Sequence, residues 1–366
     1  MTMVRRSRLS AARRYPWEAM SSYSVESPFA SAGVVDRSDR GKLRFTGEQG
    51  LWFCDQLLSN QVVDLPEGHG AEALLLTPHG RIRALLRLVH NQGEVLADME
   101  PGGIAAELAA FFQGRVFSTR VEIADVTGDL GLVSVLGPAA DDVVRTMTLV
   151  DRLPASDEHA SVRCAAALVV RVARPVPGLD LIVPREALGV TLASLTAAGG
   201  VPATREDYEA LRAAKGLPRD RVDFDEGFLP QEAALERAVH FAKGCYLGQE
   251  AVAMTQRGRV KRRLRHLRFD GPGRPGPVRH AGEDVGRVTT QSDGFAIAAV
   301  RTSVPLGEHV EVGDDQPVVA VVEELPGTVA GPEVPSAREL RERIAGAPKP
   351  APKPAPKPAP KPGTAL

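Results

Sequence analysis

Lys243-Gly244-Cys245-Tyr246-Leu247-Gly248-Gln249-Glu250 is the densest stretch of chemistry in the chain. A thiol lies between two glycines, next to a lysine and near a carboxylate. An ammonium close to a thiol lowers its pKa and raises the thiolate fraction. Glycine admits positive φ and lets a ligand approach the backbone. Two readings fit. Cys245 is a reactive thiol with Lys243 as its cation, or it packs as a small hydrophobe, as free cysteines often do.

Around this stretch lie 366 residues, enough for two or three domains. Hydrophobic residues make up 43% and charged residues 25%, so most of the chain can bury a core. Lys and Arg number 45 against 46 Asp and Glu, a net charge of −1, which argues against a dedicated DNA-coating protein. Cys54, Cys164 and Cys245 are far apart and form no CxxC. That excludes a disulfide scaffold, a self-contained zinc site and the four thiolates of an intramolecular iron–sulfur cluster. It fits a reducing, cytoplasmic setting. No segment reaches the ~18 apolar residues of a membrane helix.

The ends are low in structure signal. Residues 1–34 read as a flexible extension, basic but without the apolar core of a secretory signal. An organellar leader and a true start at Met20 are the alternatives. From Ala347 to Pro362 the sequence is APKP four times over. Proline at every second position removes backbone donors and fixes φ, which predicts an extended spacer of roughly 50 Å at ~3.1 Å per residue. Ser336 and Glu339 form a capping-box pattern before a short helix over 337–345. Residues 327–366 are therefore a helix and a disordered tail.

Between these ends the periodicity alternates. Strands are predicted around Leu43–Phe45 and over 71–76, 81–89, 116–125, 130–136, 168–172 and 179–183. Thr77-Pro78-His79-Gly80 is a turn joining the second and third of these. Helices are predicted over 49–58, 104–112, 138–147, 185–198 and 205–214. There is no βαβ rhythm and hairpins are frequent, which argues α+β. After Val260 only short strands with Gly/Pro turns remain (264–269, 284–289, 295–300, 318–323), as in a small β-barrel. The domains are thus 35–258, two α+β lobes, and 259–326, a barrel.

KGCYLGQE resembles the signature of YgfZ-type proteins, folate-binding relatives of the glycine cleavage T-protein that act in iron–sulfur cluster metabolism. The resemblance spans roughly residues 36–323. Phe228-Leu229-Pro230-Gln231-Glu232 precedes the signature at the family's spacing. Leu57-Leu58-Ser59-Asn60-Gln61-Val62 resembles the T-protein LxTxDV segment, Leu76-Thr77-Pro78-His79-Gly80-Arg81-Ile82 its TPxGRI turn, and Leu136-Gly137-Pro138-Ala139 its LGPxA strand end. The resemblance implies ferredoxin-like N-terminal lobes and a C-terminal β-barrel. It implies a central folate cavity, with tetrahydrofolate or a derivative as cofactor and a transient iron–sulfur cluster as cargo.

It also implies site residues. Gly178-Leu179-Asp180 matches the Gly-Tyr-Glu strand that holds the pterin's amino-pyrimidine edge, so Asp180 inherits that task one methylene shorter. Tyr208 falls where an aromatic ring stacks on folate. Gly244, Tyr246, Gly248, Gln249 and Glu250 belong to the signature, with Cys245 and Lys243 as its functional pair. T-proteins carry an Asn-Ala-Ser-Asn segment and then a catalytic aspartate. Here the region reads Asn91 to Glu100 without that motif, and Asp98 is no convincing match. The resemblance therefore implies a folate-dependent partner of iron–sulfur client or assembly proteins. A folate-dependent aminomethyl or methyl transferase is the rival. A second rival is an RNA-associated factor using the basic run Arg257, Arg259, Lys261, Arg262, Arg263, Arg265 and Arg268. That run also reads as the solvated face of a strand, with Leu264 turned inward.

Overall fold

The structure is a computed structural model that describes residues 27–326 apart from 148–149, 166 and 258–259, and gives no side-chain surroundings for 255–259. The expectations for residues 1–26, for the helix over 337–345, for the APKP tail and for the side chains of Arg257 and Arg259 lie outside the described residues.

Two sheets face each other. A five-stranded sheet in the order β3-β4-β5-β2-β6 uses β2 (Gly41–Thr46), β3 (His69–Leu76), β4 (Ile82–Asn91), β5 (Glu94–Met99) and β6 (Glu122–Asp125). A six-stranded sheet in the order β11-β1-β7-β10-β9-β8 uses β1 (Gly33–Asp36), β7 (Leu130–Leu136), β8 (Ser161–Cys164), β9 (Ala167–Val172), β10 (Gly178–Pro184) and β11 (Val201–Pro202). The first strand of the chain thus joins the second sheet.

Alternation along the strands explains the layering. In β4, Ala84, Leu86 and Leu88 face outward onto α1 (Gly50–Leu57) and α2 (Ile104–Gln113), where Phe53, Cys54, Leu108 and Phe112 complete one core. In β7 and β10, Val133, Val135, Leu179 and Leu181 face α3 (Ala140–Arg145) and α4 (Leu188–Ala197) in a second core. The opposite faces meet between the sheets through Val89, Leu96, Leu132, Leu168, Val170 and Ile182. The α+β expectation holds, as helix, sheet, sheet, helix.

After α5 (Arg205–Ala214) and α6 (Gln249–Arg257) come six strands: β12 (Arg262–Phe269), β13 (Pro277–His280), β14 (Glu283–Ser292), β15 (Phe295–Arg301), β16 (His309–Val312) and β17 (Val318–Glu323). They close into a barrel in the order β12-β15-β14-β13-β16-β17, as the run of short strands predicts. Some assignments need correction. The strand predicted over 116–125 is confined to β6, the helix over 138–147 shortens to α3, and β1, β5, β8, β11, β13, β16 and α6 carry no expectation at all.

The barrel is stitched to α5 by Arg212, which donates to Thr290 Oγ1 at 3.1 Å, and by the His266 ring, whose Nε2 lies 3.2 Å from the Ala213 carbonyl. In β12, Leu264 is buried between Arg263 and Arg265, as alternation predicts. The described arginines of the basic run are each paired. Arg263 meets Glu236 at 2.7 Å, Arg265 meets Glu324 at 2.5 Å and Arg268 meets Glu323 at 2.8 Å, while Arg262 donates to the Gly227 carbonyl at 2.6 Å.

Candidate functional site

The layer between the sheets changes character along its length. One end is apolar. At the other end the same inward positions carry Arg87 on β4, Asp98 on β5, Ser134 on β7 and Asp180 on β10. Cross-strand register sets Arg87 opposite Asp98 and Asp180 opposite Ser134. Charges this deep survive only when paired.

They are paired. Arg87 Nε donates to Asp98 at 2.7 Å and its Nη1 to Asp180 at 2.5 Å. Ser134 Oγ donates to the other Asp180 oxygen at 2.5 Å. Arg40 donates to Asp98 at 2.7 Å and also pairs with Glu100. Burial alone would raise the Asp98 pKa, but the Arg87 and Arg40 guanidiniums outweigh it and hold the carboxyl well below the usual range. Asp98 was set aside on sequence grounds and proves central.

This network floors a cleft lined from both sheets and from α5, including Arg37, Glu72, Arg87, His159, Arg174, Asp180, Tyr208 and Asp220. Asp180 on β10 and Tyr208 on α5 therefore share one cavity wall. Both are engaged. Asp180 has a partner on each oxygen, and the Arg37 guanidinium covers the Tyr208 ring at 4.2 Å from its centroid. Tyr208 packs with Val35, Leu136, Val172 and Leu211 and is 3% exposed. On the far wall Glu72 binds Arg237 at 2.6 Å and Arg174 at 3.2 Å. Burial opposes ionisation of Glu72, yet the two arginines hold it well below its ordinary pKa. Asp220 has no such compensation, and burial pushes it up to about 6.

The glycine-rich stretch forms a loop and the start of α6. Gly248 sits at φ +82°, and a Cβ there would stand 2.5 Å from the Thr77 carbonyl oxygen. Gly80, at φ +72°, faces it from the Thr77–Gly80 turn, with its own would-be Cβ 2.8 Å from Ala251. Two motifs 170 residues apart in sequence thus meet backbone to backbone. Gln249 Nε2 donates to the Lys243 carbonyl at 3.3 Å and closes the loop. Tyr246 turns into the core with Leu74, Leu76 and Phe228, where burial pushes its hydroxyl up to about 12. Glu250 is exposed on the first turn of α6.

Cys245 is exposed, whereas Cys54 and Cys164 are buried and burial raises both of their pKa values. Lys243 is not a free cation for the thiol. Its ammonium is buried at the C-terminal end of α1, donating to the carbonyls of Asp55 at 2.6 Å, Leu58 at 3.0 Å and Asn60 at 2.8 Å. It lies 3.1 Å from the Asp55 carboxylate. A cation at a helix C-terminus satisfies carbonyls the helix cannot. The sequence reading assigned the charge of Lys243 to Cys245; the structure spends it on α1. Among the described residues no group of three or more His, Cys, Asp or Glu could hold a metal ion, and no helix is long and apolar enough to cross a membrane.

Comparison with known proteins agrees with this architecture. The family model of the GCVT N-terminal domain matches residues 2–243. A chloroplastic protein of Arabidopsis thaliana is 26% identical over 308 residues, covering 80% of this chain and 70% of that one. The aminomethyltransferase of Moorella thermoacetica is 27% identical over 314 residues, covering 77% and 82%. Among solved structures, the glycine cleavage system aminomethyltransferase T from Bartonella henselae superposes with a TM-score of 0.73 at 19% identity, over 81% of this chain and 86% of that one.

Proposed function

The chain belongs to the GCVT N-terminal domain family, and we propose that within it the protein binds folate in the inter-sheet cleft and supports iron–sulfur cluster assembly or repair in client enzymes, without transferring an aminomethyl group itself. The observation that carries this reading is the state of Asp98. A transferase needs a carboxylate free to take or steer a proton. Asp98 is 1% exposed and clamped between Arg40 and Arg87, which hold it ionised. It organises the floor of the cleft and takes no proton.

The chain's own residues fit a folate. Among the described residues, buried side-chain nitrogens of Arg37, Arg87, Arg174 and His159 in the cleft have no hydrogen-bond partner. Tyr208 and Asp180 are its wall residues. Tyr208 contributes the aromatic edge beside Arg37, and Asp180 acts through Arg87, which it fixes in place. Folate would bring one-carbon and redox chemistry to the cleft. A resident cluster does not fit, since one accessible thiol falls short of the ligands a cluster takes. Cys245 is instead the exposed thiol offered to a client. Gly244, Tyr246, Gly248, Gln249 and Glu250 shape the loop that presents it, and Lys243 anchors that loop. The few, dispersed cysteines suit a reducing, cytoplasmic compartment.

Titration of tetrahydrofolate into the full-length protein tests the first half, and saturable binding is expected. Turnover with an aminomethyl-lipoyl donor tests the second. Activity near background is expected, and robust turnover overturns the proposal in favour of a transferase. The activity of cluster-dependent enzymes in a strain lacking this protein tests the third. It should fall and be restored by wild type but not by Cys245→Ala.

A further inference from the structure

Apart from Asp220, the acidic side chains that line the cleft are already paired with arginines. Glu72 is held by Arg174 and Arg237, Glu100 by Arg40 and Arg219, Glu158 by Arg174, and Asp180 by Arg87 and Ser134. What is left over is donors. Arg87 Nη2 and Arg174 Nη1 are buried with no acceptor, and so is Nδ1 of His159. Arg87 and His159 are each 8% exposed, and all three residues line the same cleft. His159 Nε2 stands 4.0 Å from the Glu158 carboxylate, which Arg174 holds at 2.9 Å, so the ring and that guanidinium are neighbours. Buried guanidinium N–H groups without acceptors are uncommon because they forfeit strong charge-assisted hydrogen bonds.

The backbone carries a second, independent sign. His159 has φ +65°, a left-handed conformation that a non-glycine residue rarely adopts. Among the described residues its Nδ1 has no hydrogen-bond partner, and its Nε2 sits 4.0 Å from the Glu158 carboxylate. Strain of this kind persists where surrounding structure enforces it, commonly at ligand sites.

We infer that Arg87, His159 and Arg174 form an oxyanion subsite, which receives the ligand of the cleft by a carboxylate or phosphate rather than by a hydrogen-bond-donating ring edge. On the folate reading, which this deepens, the group received is a glutamyl carboxylate. Two planar guanidiniums bring spare N–H groups to one cleft, and the imidazole adds a third in its Nδ1–H tautomer, a donor set that suits an oxyanion. Asp180 and Glu72 are positioning residues that hold the two arginines.

The test uses the full-length protein and isothermal titration with folic acid, with pteroic acid, which lacks the glutamate, and with glutarate and inorganic phosphate. Folic acid should bind at least ten times more tightly than pteroic acid, and glutarate should compete with it. Arg174→Lys keeps the charge for Glu72 and Glu158 but loses the guanidinium fork. His159→Gly removes the ring and suits the left-handed backbone. Both variants should lose the tenfold preference while pteroic acid binding stays within threefold. Equal binding of folic and pteroic acids to wild type overturns the subsite and leaves the folate reading intact. Binding of glutarate or phosphate, weakened in both variants, with no binding of either pterin upholds the subsite and overturns the folate reading, and phosphate binding tighter than glutarate assigns the group to a phosphate. No binding by any of the four overturns both.

Discussion

The Lys243 ammonium stands 3.1 Å from the Asp55 carboxylate and caps the carbonyls that end α1, across 188 positions of sequence. This contact pins the glycine-rich loop to the outer helix of the five-stranded sheet. The charge is buried, so it contributes only while all of its acceptors are in place. Lys243→Met takes a donor from three carbonyls and the cation from the Asp55 carboxylate, which keeps the Val62 and Val63 N–H groups. Unmade buried hydrogen bonds cost about 1–3 kcal/mol each before relaxation, so a loss of ~2–4 kcal/mol is expected in urea unfolding. Cys245→Ala, at an exposed thiol, should change stability by no more than ~0.5 kcal/mol. Equal losses in the two variants would show that the lysine does not anchor the loop.

Asp98 gives a pH signature. Its pKa is lower folded than unfolded, because Arg87 and Arg40 outweigh the cost of burial. A depressed carboxylate contributes stability that is complete above its unfolded pKa of about 4 and is lost as pH falls toward the folded value. Asp98→Asn should therefore cost ~3–5 kcal/mol at pH 7, the cost of breaking a buried ion pair. The gap to wild type should narrow steadily below about pH 4. A gap that stays constant to pH 2 would mean the carboxylate is not ion-paired in solution.

Asp220 runs the other way. Burial raises it to about 6, so its charged form is the unfavourable one in the folded state. The stability its protonated form brings is present below about pH 4 and lost as pH rises through 6. Asp220→Asn keeps an oxygen for the Leu85 N–H, which now donates to the carboxylate at 3.1 Å. The variant should be more stable than wild type by ~1–3 kcal/mol at pH 7.5 and indistinguishable from it at pH 4. Thermal unfolding at the two pH values reads this directly, and a destabilised variant at pH 7.5 would refute it.

Legibility in the sequence followed from how local each signal was. β4 was readable because an apolar stretch from Ile82 to Val89 follows a Pro/Gly turn, and α5 because its apolar residues recur at helical spacing. β5 was not, since Glu94 and Asp98 leave it only a short apolar run. The cleft was legible only at Asp180 and Tyr208. Its arginines come from the β1–β2 connection, β4, the loop after β9 and, at Arg237, the segment between α5 and α6, and only the folded chain unites them. One signal could have found Arg87 and Asp98: each lies two positions from an inward apolar residue of its strand, Val89 or Leu96, so alternation turns it inward too. Lys243 misled for the opposite reason. Adjacency to Cys245 in sequence says nothing of where a four-carbon side chain reaches.

The two glycines flanking Cys245 separate structure from function. Gly248 is at φ +82°, and a Cβ would lie 2.5 Å from the Thr77 carbonyl oxygen and 3.0 Å from Gly80 Cα. Neither neighbour is a flexible side-chain end, so Gly248→Ala must push the loop off the turn and hold alanine in the left-handed region. Left-handed strain alone costs ~1–2 kcal/mol, and the backbone clash adds to it, so a loss of ~2–4 kcal/mol is expected. At Gly244 a Cβ meets nothing within 4 Å, and no left-handed φ is required. Gly244→Ala should therefore unfold within ~0.5 kcal/mol of wild type. If Gly244→Ala nevertheless fails to restore cluster-dependent enzymes in a deletion strain, the open space beside Cys245 is where the client approaches. If it restores them fully, Gly244 is dispensable to the thiol's work, and Gly248 alone carries the glycine requirement of the loop by fixing its seat on the Thr77–Gly80 turn.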